Sequence, residues 1–128
     1  MEISGSESQA GFQSEVDQLN SLKILKDIRS LGCSNDEISA ATYRTYLDLC
    51  EVRKYEAVAY HYLPELNHLY LKMRRKLGDT EEIIIPVTAT KTFTFNELEN
   101  FQKTFATDSI SLAICDASMV MYYNLKRS

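Results

Sequence analysis

The chain has 128 residues, 45% of them hydrophobic and 25% charged, with 14 Lys and Arg against 18 Asp and Glu for a net charge of −4. A chain of this length and composition supports a globular domain with a real core, so disulfides or a metal are not required, and collagenous, disordered and disulfide-stapled classes are excluded. The acidic balance opposes autonomous binding to nucleic acid, whose affinity comes mainly from Lys and Arg neutralising phosphates; an RNA role calls for a more basic partner.

No apolar run approaches the roughly 20 residues needed to cross a bilayer, and the N-terminus carries Glu2, Glu7, Glu15 and Asp17. Neither a signal peptide nor a membrane span is expected. Cys33, Cys50 and Cys115 are odd in number and lack paired spacing, which points to neither a zinc site nor a disulfide framework, and no cofactor is expected. A reducing compartment follows, nucleus or cytosol, with association to an organelle surface through a complex left open.

Residues 1–12 offer little to bury and predict a flexible tail, leaving 13–128 as one domain. Val16, Leu19, Leu22, Leu25, Ile28 and Leu31 recur every three residues before Gly32, predicting a helix over 14–31 with a glycine C-cap. Ser34 or Asn35 caps a second helix, with Asp36 and Glu37 in its first turn and an apolar face of Ile38, Ala41, Tyr43, Tyr46, Leu47, Leu49 and Cys50, ending near Arg53. Ala57 to Leu63 is strand-like, Pro64 and Glu65 interrupt it, and Leu66 to Met73 forms the neighbouring strand. After the polar turn Arg74 to Asp79, Ile83, Ile84, Ile85 and Val87 make a buried strand in which Pro86 implies an edge or a bulge. Thr94 or Asn96 caps a helix with Phe95, Leu98, Phe101 and Phe105 on its face, ending near Thr107. Strands Ile110 to Cys115 and Met119 to Leu125 close the chain around the turn Asp116, Ala117, Ser118. The order ααβββαββ specifies an α/β or α+β domain, a mixed sheet with helices packed on it.

Catalytic chemistry is sparse. His61 and His68 lie in adjacent strands across a turn and could face one another, although strand histidines commonly carry no chemistry. The four glycines do not cluster into a phosphate loop. Lys72, Arg74, Arg75 and Lys76 form the one basic cluster, a candidate RNA contact with a single-strand salt slope of only about −3; Lys126 and Arg127 make a smaller one. The tyrosines suit interface or core better than base stacking, because Lys and Arg are not interleaved with them. The terminal strands are apolar at consecutive positions, so both faces are covered. A last strand is often an edge strand, and an open apolar edge invites a partner chain; the same pattern also fits an internal strand buried by the chain's own helices.

Tyr46, Leu47, Asp48, Leu49, then Tyr55, Glu56, Ala57, Val58, then Leu63, Pro64, Glu65, Leu66, and finally Leu112, Ala113, Ile114 with Tyr122, Tyr123, Leu125 resemble the smallest, non-catalytic subunit of eukaryotic tRNA-splicing endonuclease over residues 41–125. The resemblance implies that enzyme's nuclease-like α/β domain (a tRNA-intron-endonuclease-like fold) and a place in a heterotetramer of catalytic and structural subunits that excises introns from precursor tRNA, which the chain would meet through the complex. In catalytic relatives a tyrosine acts as base on the ribose 2′-hydroxyl, a histidine as acid and a lysine as charge stabiliser. The matching positions here hold Ile85 before Pro86, no histidine from Val87 to Phe95, and no lysine among Asp108, Ser109, Ile110 and Ser111. The resemblance therefore implies a scaffold with no catalytic residue. Its interface would comprise Leu112, Ile114, Asp116, Val120, Tyr122 and Tyr123, the strands pairing with a catalytic subunit and the short Asp116 loop docking on a second heterodimer. The isolated chain could form a homodimer through the same edge. Two other readings stand beside this one: an autonomous ribonuclease with a site near His61 and His68, and a generic protein-interaction domain.

Overall fold

Two helices precede the sheet. The computed structural model describes residues 19–107 and 109–125, so the expected tail and the start of the first helix lie outside the described residues. The first helix (α1) is described over 19–29; of its three-residue repeat only Ile28 is fully buried, while Leu19 and Leu22 are exposed. A step of three residues falls about 60° short of a full turn, so such a stripe rotates off the sheet within two steps. Gly32 follows at φ +117, a backbone conformation that favours glycine, and a Cβ there would stand 3.2 Å from the Tyr62 ring, which would have to give by a few tenths of an ångström.

Helix α2 (Asp36–Leu47) is capped by Asn35, whose Oδ1 accepts from the Glu37 and Ile38 amides at 2.9 and 3.2 Å. Its buried residues are Ser39, Ala41, Thr42 and Thr45, continued by Leu49 just beyond its end, whereas Tyr43, Tyr46, Leu47 and Cys50 are only half-buried. Thr42 and Thr45 donate to the Ile38 and Ala41 carbonyls, each at 2.7 Å, and a threonine satisfied this way presents a methyl group to the core. The helix runs into a π-helical turn, Asp48–Val52, and ends at Arg53 as expected.

Strands β1 (Ala57–Leu63), β2 (His68–Arg74), β3 (Glu82–Thr88), β4 (Ile110–Cys115) and β5 (Val120–Asn124) form one sheet in that spatial order. All neighbours are antiparallel except β3 and β4, which are parallel and joined through helix α3 (Phe95–Phe105). The result is an α+β fold of order ααβββαββ, as expected. Ile84 and Ala113 point with Leu71 and Met73 toward Leu49 on the α2 side; Ile83, Ile85, Val87, Ile110 and Leu112 point toward Phe101 of α3. That alternation explains the continuous apolar runs of β3 and β4, which are covered on both faces. Thr94, not Asn96, caps α3, and Phe95 is exposed rather than part of its apolar face.

Pro86 lies in the central strand of the sheet, at neither an edge nor a bulge, since the β3–β4 register runs without interruption from Ile83–Ile110 to Thr88–Cys115. The Ile83 and Ala89 amides both donate toward β4, so by alternation the main-chain positions of Pro86 face β2. There the β2–β3 ladder has already stopped at Leu71–Ile84. The missing N–H thus falls where no strand partner awaits it.

Candidate functional site

Strand β5 ends the sheet, and no strand lies beyond it among the described residues. The Leu125 amide donates to the Ile110 carbonyl at 2.7 Å and the Asp116 amide to the Met119 carbonyl at 3.0 Å. Alternation then turns the main-chain groups of Met121 and Tyr123 toward β4 and leaves those of Val120, Tyr122 and Asn124 facing outward. The side chains divide differently. Val120 and Tyr122 pack with the α2-side core, while Met121 and Tyr123 lie on the α3 side, opposite Ile114 and Leu112. Helix α3 does not cover them: Met119, Met121 and Tyr123 are 52, 40 and 56% exposed.

Of the residues expected at an interface, Leu112 is a core residue beneath α3, and the side chains of Val120 and Tyr122 are turned inward. Leu112 is therefore withdrawn from the surface set, because its register places it beside Ile85 under Phe101. Ile114, half-buried, and Tyr123 remain, joined by Met119 and Met121. Reading the strand as apolar on both faces hid these two methionines; counting in steps of two from Tyr123 would have found them.

The Tyr122 hydroxyl donates to Asp48 Oδ2 at 2.6 Å, and Arg53 binds the same oxygen at 3.0 Å while its guanidinium lies 4.6 Å from the Tyr122 ring centroid. Burial first, and then the Asp48 hydrogen bond and charge, raise the Tyr122 hydroxyl pKa well above its ordinary value. Asp116 Oδ1 accepts from the Ser118 amide, the Met119 amide and the Ser118 hydroxyl at 2.8, 3.0 and 3.2 Å. These bonds, the Ser118 amide foremost, hold the Asp116 carboxyl below the usual range. Arg44 of α2 donates to the Asp116 carbonyl and pins the turn to the helix layer.

The histidines do not form a pair. His61 stacks on Tyr70, with centroids 5.3 Å apart, and burial lowers its pKa, with Lys72 adding to the effect. His68 is 7% exposed, lies edge-to-face on Phe101 and has Nε2 2.8 Å from the Pro86 carbonyl oxygen; its pKa is lowered chiefly by burial. Among the described residues no group of His, Cys, Asp and Glu could hold a metal.

The basic cluster is partly neutralised. Arg75 pairs with Glu82 at 3.0 Å and lies over the Tyr55 ring, and Lys72 stands 4.0 Å from Glu81. Arg74 and Lys76 are exposed and make no ion pair with the described residues.

The three positions matched to catalytic residues do not converge. Ile85 is fully buried in mid-strand, residues 88–95 leave the C-terminal end of β3, and Ser109 to Ser111 enter β4 beside Ile83 and Ile84. The offset from Ile83 to Thr88, at about 3.3 Å per residue, separates the latter two segments by roughly 17 Å.

A mixed five-stranded sheet with helices on both faces and an open last strand defines an α+β domain with a free sheet edge. The family model described as Sen15 protein matches residues 44–128, from mid-α2 through the whole sheet. The chain belongs to the Sen15 family of tRNA-splicing endonuclease subunits. No curated protein matches it.

Proposed function

We infer that the chain is a non-catalytic subunit that holds a catalytic subunit of the tRNA-splicing endonuclease in place through strand β5. The observation that carries this is the open β5 edge, whose outward main-chain groups adjoin exposed Met119, Met121 and Tyr123. Edge pairing supplies hydrogen bonds, and burial of three such side chains contributes roughly 1.5–3 kcal/mol each before ordering costs are subtracted. The same edge serves self-pairing of the isolated chain. Within a heterotetramer, the pinned Asp116 turn makes a smaller contact with a basic surface of the second heterodimer. Precursor tRNA is met through the complex, with Arg74 and Lys76 as the residues of this chain best placed to touch phosphate. The free cysteines fit a nuclear or cytosolic setting.

Catalysis by the chain itself has less support. His68 commits its N–H to a carbonyl, His61 lies flat on a tyrosine, and neither contacts the other. A general acid and a general base need hydrogen-bond reach to the groups they serve. The test is co-expression with a tagged catalytic subunit: the chain is expected to co-purify through a high-salt wash, and the rigorously purified chain to leave precursor tRNA intact. Absence from the purified complex, or RNA turnover lost in the His61→Gln, His68→Gln double variant, would overturn this function.

A further inference from the structure

A cavity of about 450 Å³ opens at the C-terminal end of β3, walled by the start of α2, the β1–β2 turn, the loop after β3 and the first turns of α3. Its volume is in the range of about 300–1,000 Å³ found for ligand sites. Glu37, His68, Lys91, Phe93, Glu97 and Phe101 give it its chemistry.

Its amides and hydroxyls can donate or accept, and its charged groups are two carboxylates and one ammonium. His68 is more than nine-tenths buried and its Nε2 donates to the Pro86 carbonyl, so the neutral ring leaves Nδ1 with a bare lone pair. Nδ1 has no partner among the described residues, yet no sealed side-chain nitrogen or oxygen there lacks one. The His68 ring itself lines the cavity. Two carboxylates, Glu37 and Glu97, and one ammonium, Lys91, line it. The helix N-termini at the cavity wall add little pull on an anion: Asn35 takes the Glu37 and Ile38 amides of α2, and Thr94 takes the Glu97 amide of α3. The wall already accommodates a cation, since Lys91 Nζ is 3.4 Å from Glu97 Oε2 and 5.3 Å from the Phe93 ring centroid.

From this juxtaposition of a buried lone pair, two carboxylates and two phenyl rings, we propose that the cavity is a binding site for the side chain of an arginine from a partner protein. A guanidinium offers N–H donors in a plane to the imidazole nitrogen and the carboxylates, and its faces suit the aromatic walls. A phosphate would meet two carboxylates against one ammonium, a net negative lining. The proposal does not depend on β5 pairing, which uses the last strand and not this cavity.

The test uses the full chain, with NMR signals of the His68 ring and of Thr88 to Phe93, titrated with N-acetyl-arginine amide, spermidine and uridine monophosphate in parallel. The arginine derivative is expected to give saturable shifts at millimolar concentration. Its affinity should fall roughly tenfold in Glu97→Gln and in Glu37→Gln, the loss of one charge-assisted hydrogen bond. Glu99→Gln, whose partner is the solvent-exposed Lys103, should leave it unchanged. Unaltered backbone spectra of the variants establish that the fold is kept. No saturable shift, or shifts indifferent to both carboxylate variants, overturns the proposal. Tighter binding of spermidine overturns it in favour of a free amine, and tighter binding of the nucleotide in favour of RNA.

Discussion

His68 Nε2 lies 2.8 Å from the carbonyl oxygen of Pro86 and supplies the hydrogen bond that strand β2 no longer provides at that point of β3. A side chain thereby stands in for a ladder partner where the chain carries proline in a central strand. Burial disfavours the imidazolium and lowers the folded-state pKa below the ordinary 6.5, outweighing the hydrogen bond to Pro86, which works in the opposite direction.

The consequence is a pH dependence of stability. Well above pH 6.5, about one pH unit or more, the ring is neutral in both folded and unfolded chains and the His68 contribution is fully present. As the pH falls from there toward the lower folded pKa, the unfolded chain takes up a proton that the folded one resists, and stability is lost. Urea denaturation at pH 7 and pH 5 is expected to give a lower midpoint at pH 5, with a smaller difference between the two in His68→Gln. His61, shifted in the same direction by burial and Lys72, adds to the slope and is separated by His61→Gln. An unchanged pH difference in His68→Gln would show that burial of this ring is not coupled to folding.

Ala106 closes helix α3 at φ +50, its amide donating to the Gln102 carbonyl at 3.0 Å. An L-residue in this left-handed region is disfavoured by about 1–2 kcal/mol, of which glycine returns about 0.4–1 through its freer unfolded chain. Ala106→Gly is therefore expected to stabilise the domain by about 0.5–1 kcal/mol, raising Tm by about 2–5 °C. Calorimetry of the two proteins decides it; a lower Tm in the variant would mean that the alanine methyl makes packing contacts worth more than the strain.

The element order and most boundaries were legible because they rest on local chemistry: the Asp36 and Glu37 turn after Asn35, the Pro64 break, and the β-branched run Ile83 to Val87. What was not legible depends on partners distant in sequence. The place of Pro86 follows from where β2 stops pairing, and the inward stripe of α2 from threonines whose hydroxyls bond back to their own helix. The spacing of the two histidines allowed them to face one another, but the register sets Tyr70 opposite His61. Strand β5 lies at the sheet edge among the described residues, but which of its faces lies bare depends on how far α3 reaches across the sheet, and this kept Met119 and Met121 out of the expected contact set.

Tyr122 illustrates why an inward residue makes a poor probe of that edge. Its hydroxyl serves Asp48, which sits at the π-helical turn of the α2 layer and also binds Arg53. Tyr122→Phe removes a hydrogen bond to a charged group while leaving Asp48 its arginine, and is expected to cost about 1–2 kcal/mol. The expected readout is a lower urea midpoint at unchanged slope. A midpoint equal to that of the parent chain would mean that the Asp48 contact contributes nothing to folding.

Met121 and Tyr123 are the complementary case, since both stand exposed on the α3 side of β5 while their neighbours face the core. A carboxylate at either position remains hydrated in the free chain, so Met121→Asp and Tyr123→Asp are expected to cost about 1 kcal/mol of stability, the partial burial of each side chain, with the fold kept. In a strand-paired complex the same carboxylate would be desolvated without a partner, at a cost of several kcal/mol. Retention on a tagged catalytic subunit should accordingly fall more than about tenfold for each variant, a change of about 1.4 kcal/mol or more. Glu99→Gln on the outer side of α3 serves as the unaffected control. Undiminished retention of both Asp variants, measured with chains shown to be folded, would place the partner elsewhere on the molecule and leave the β5 edge without its proposed role.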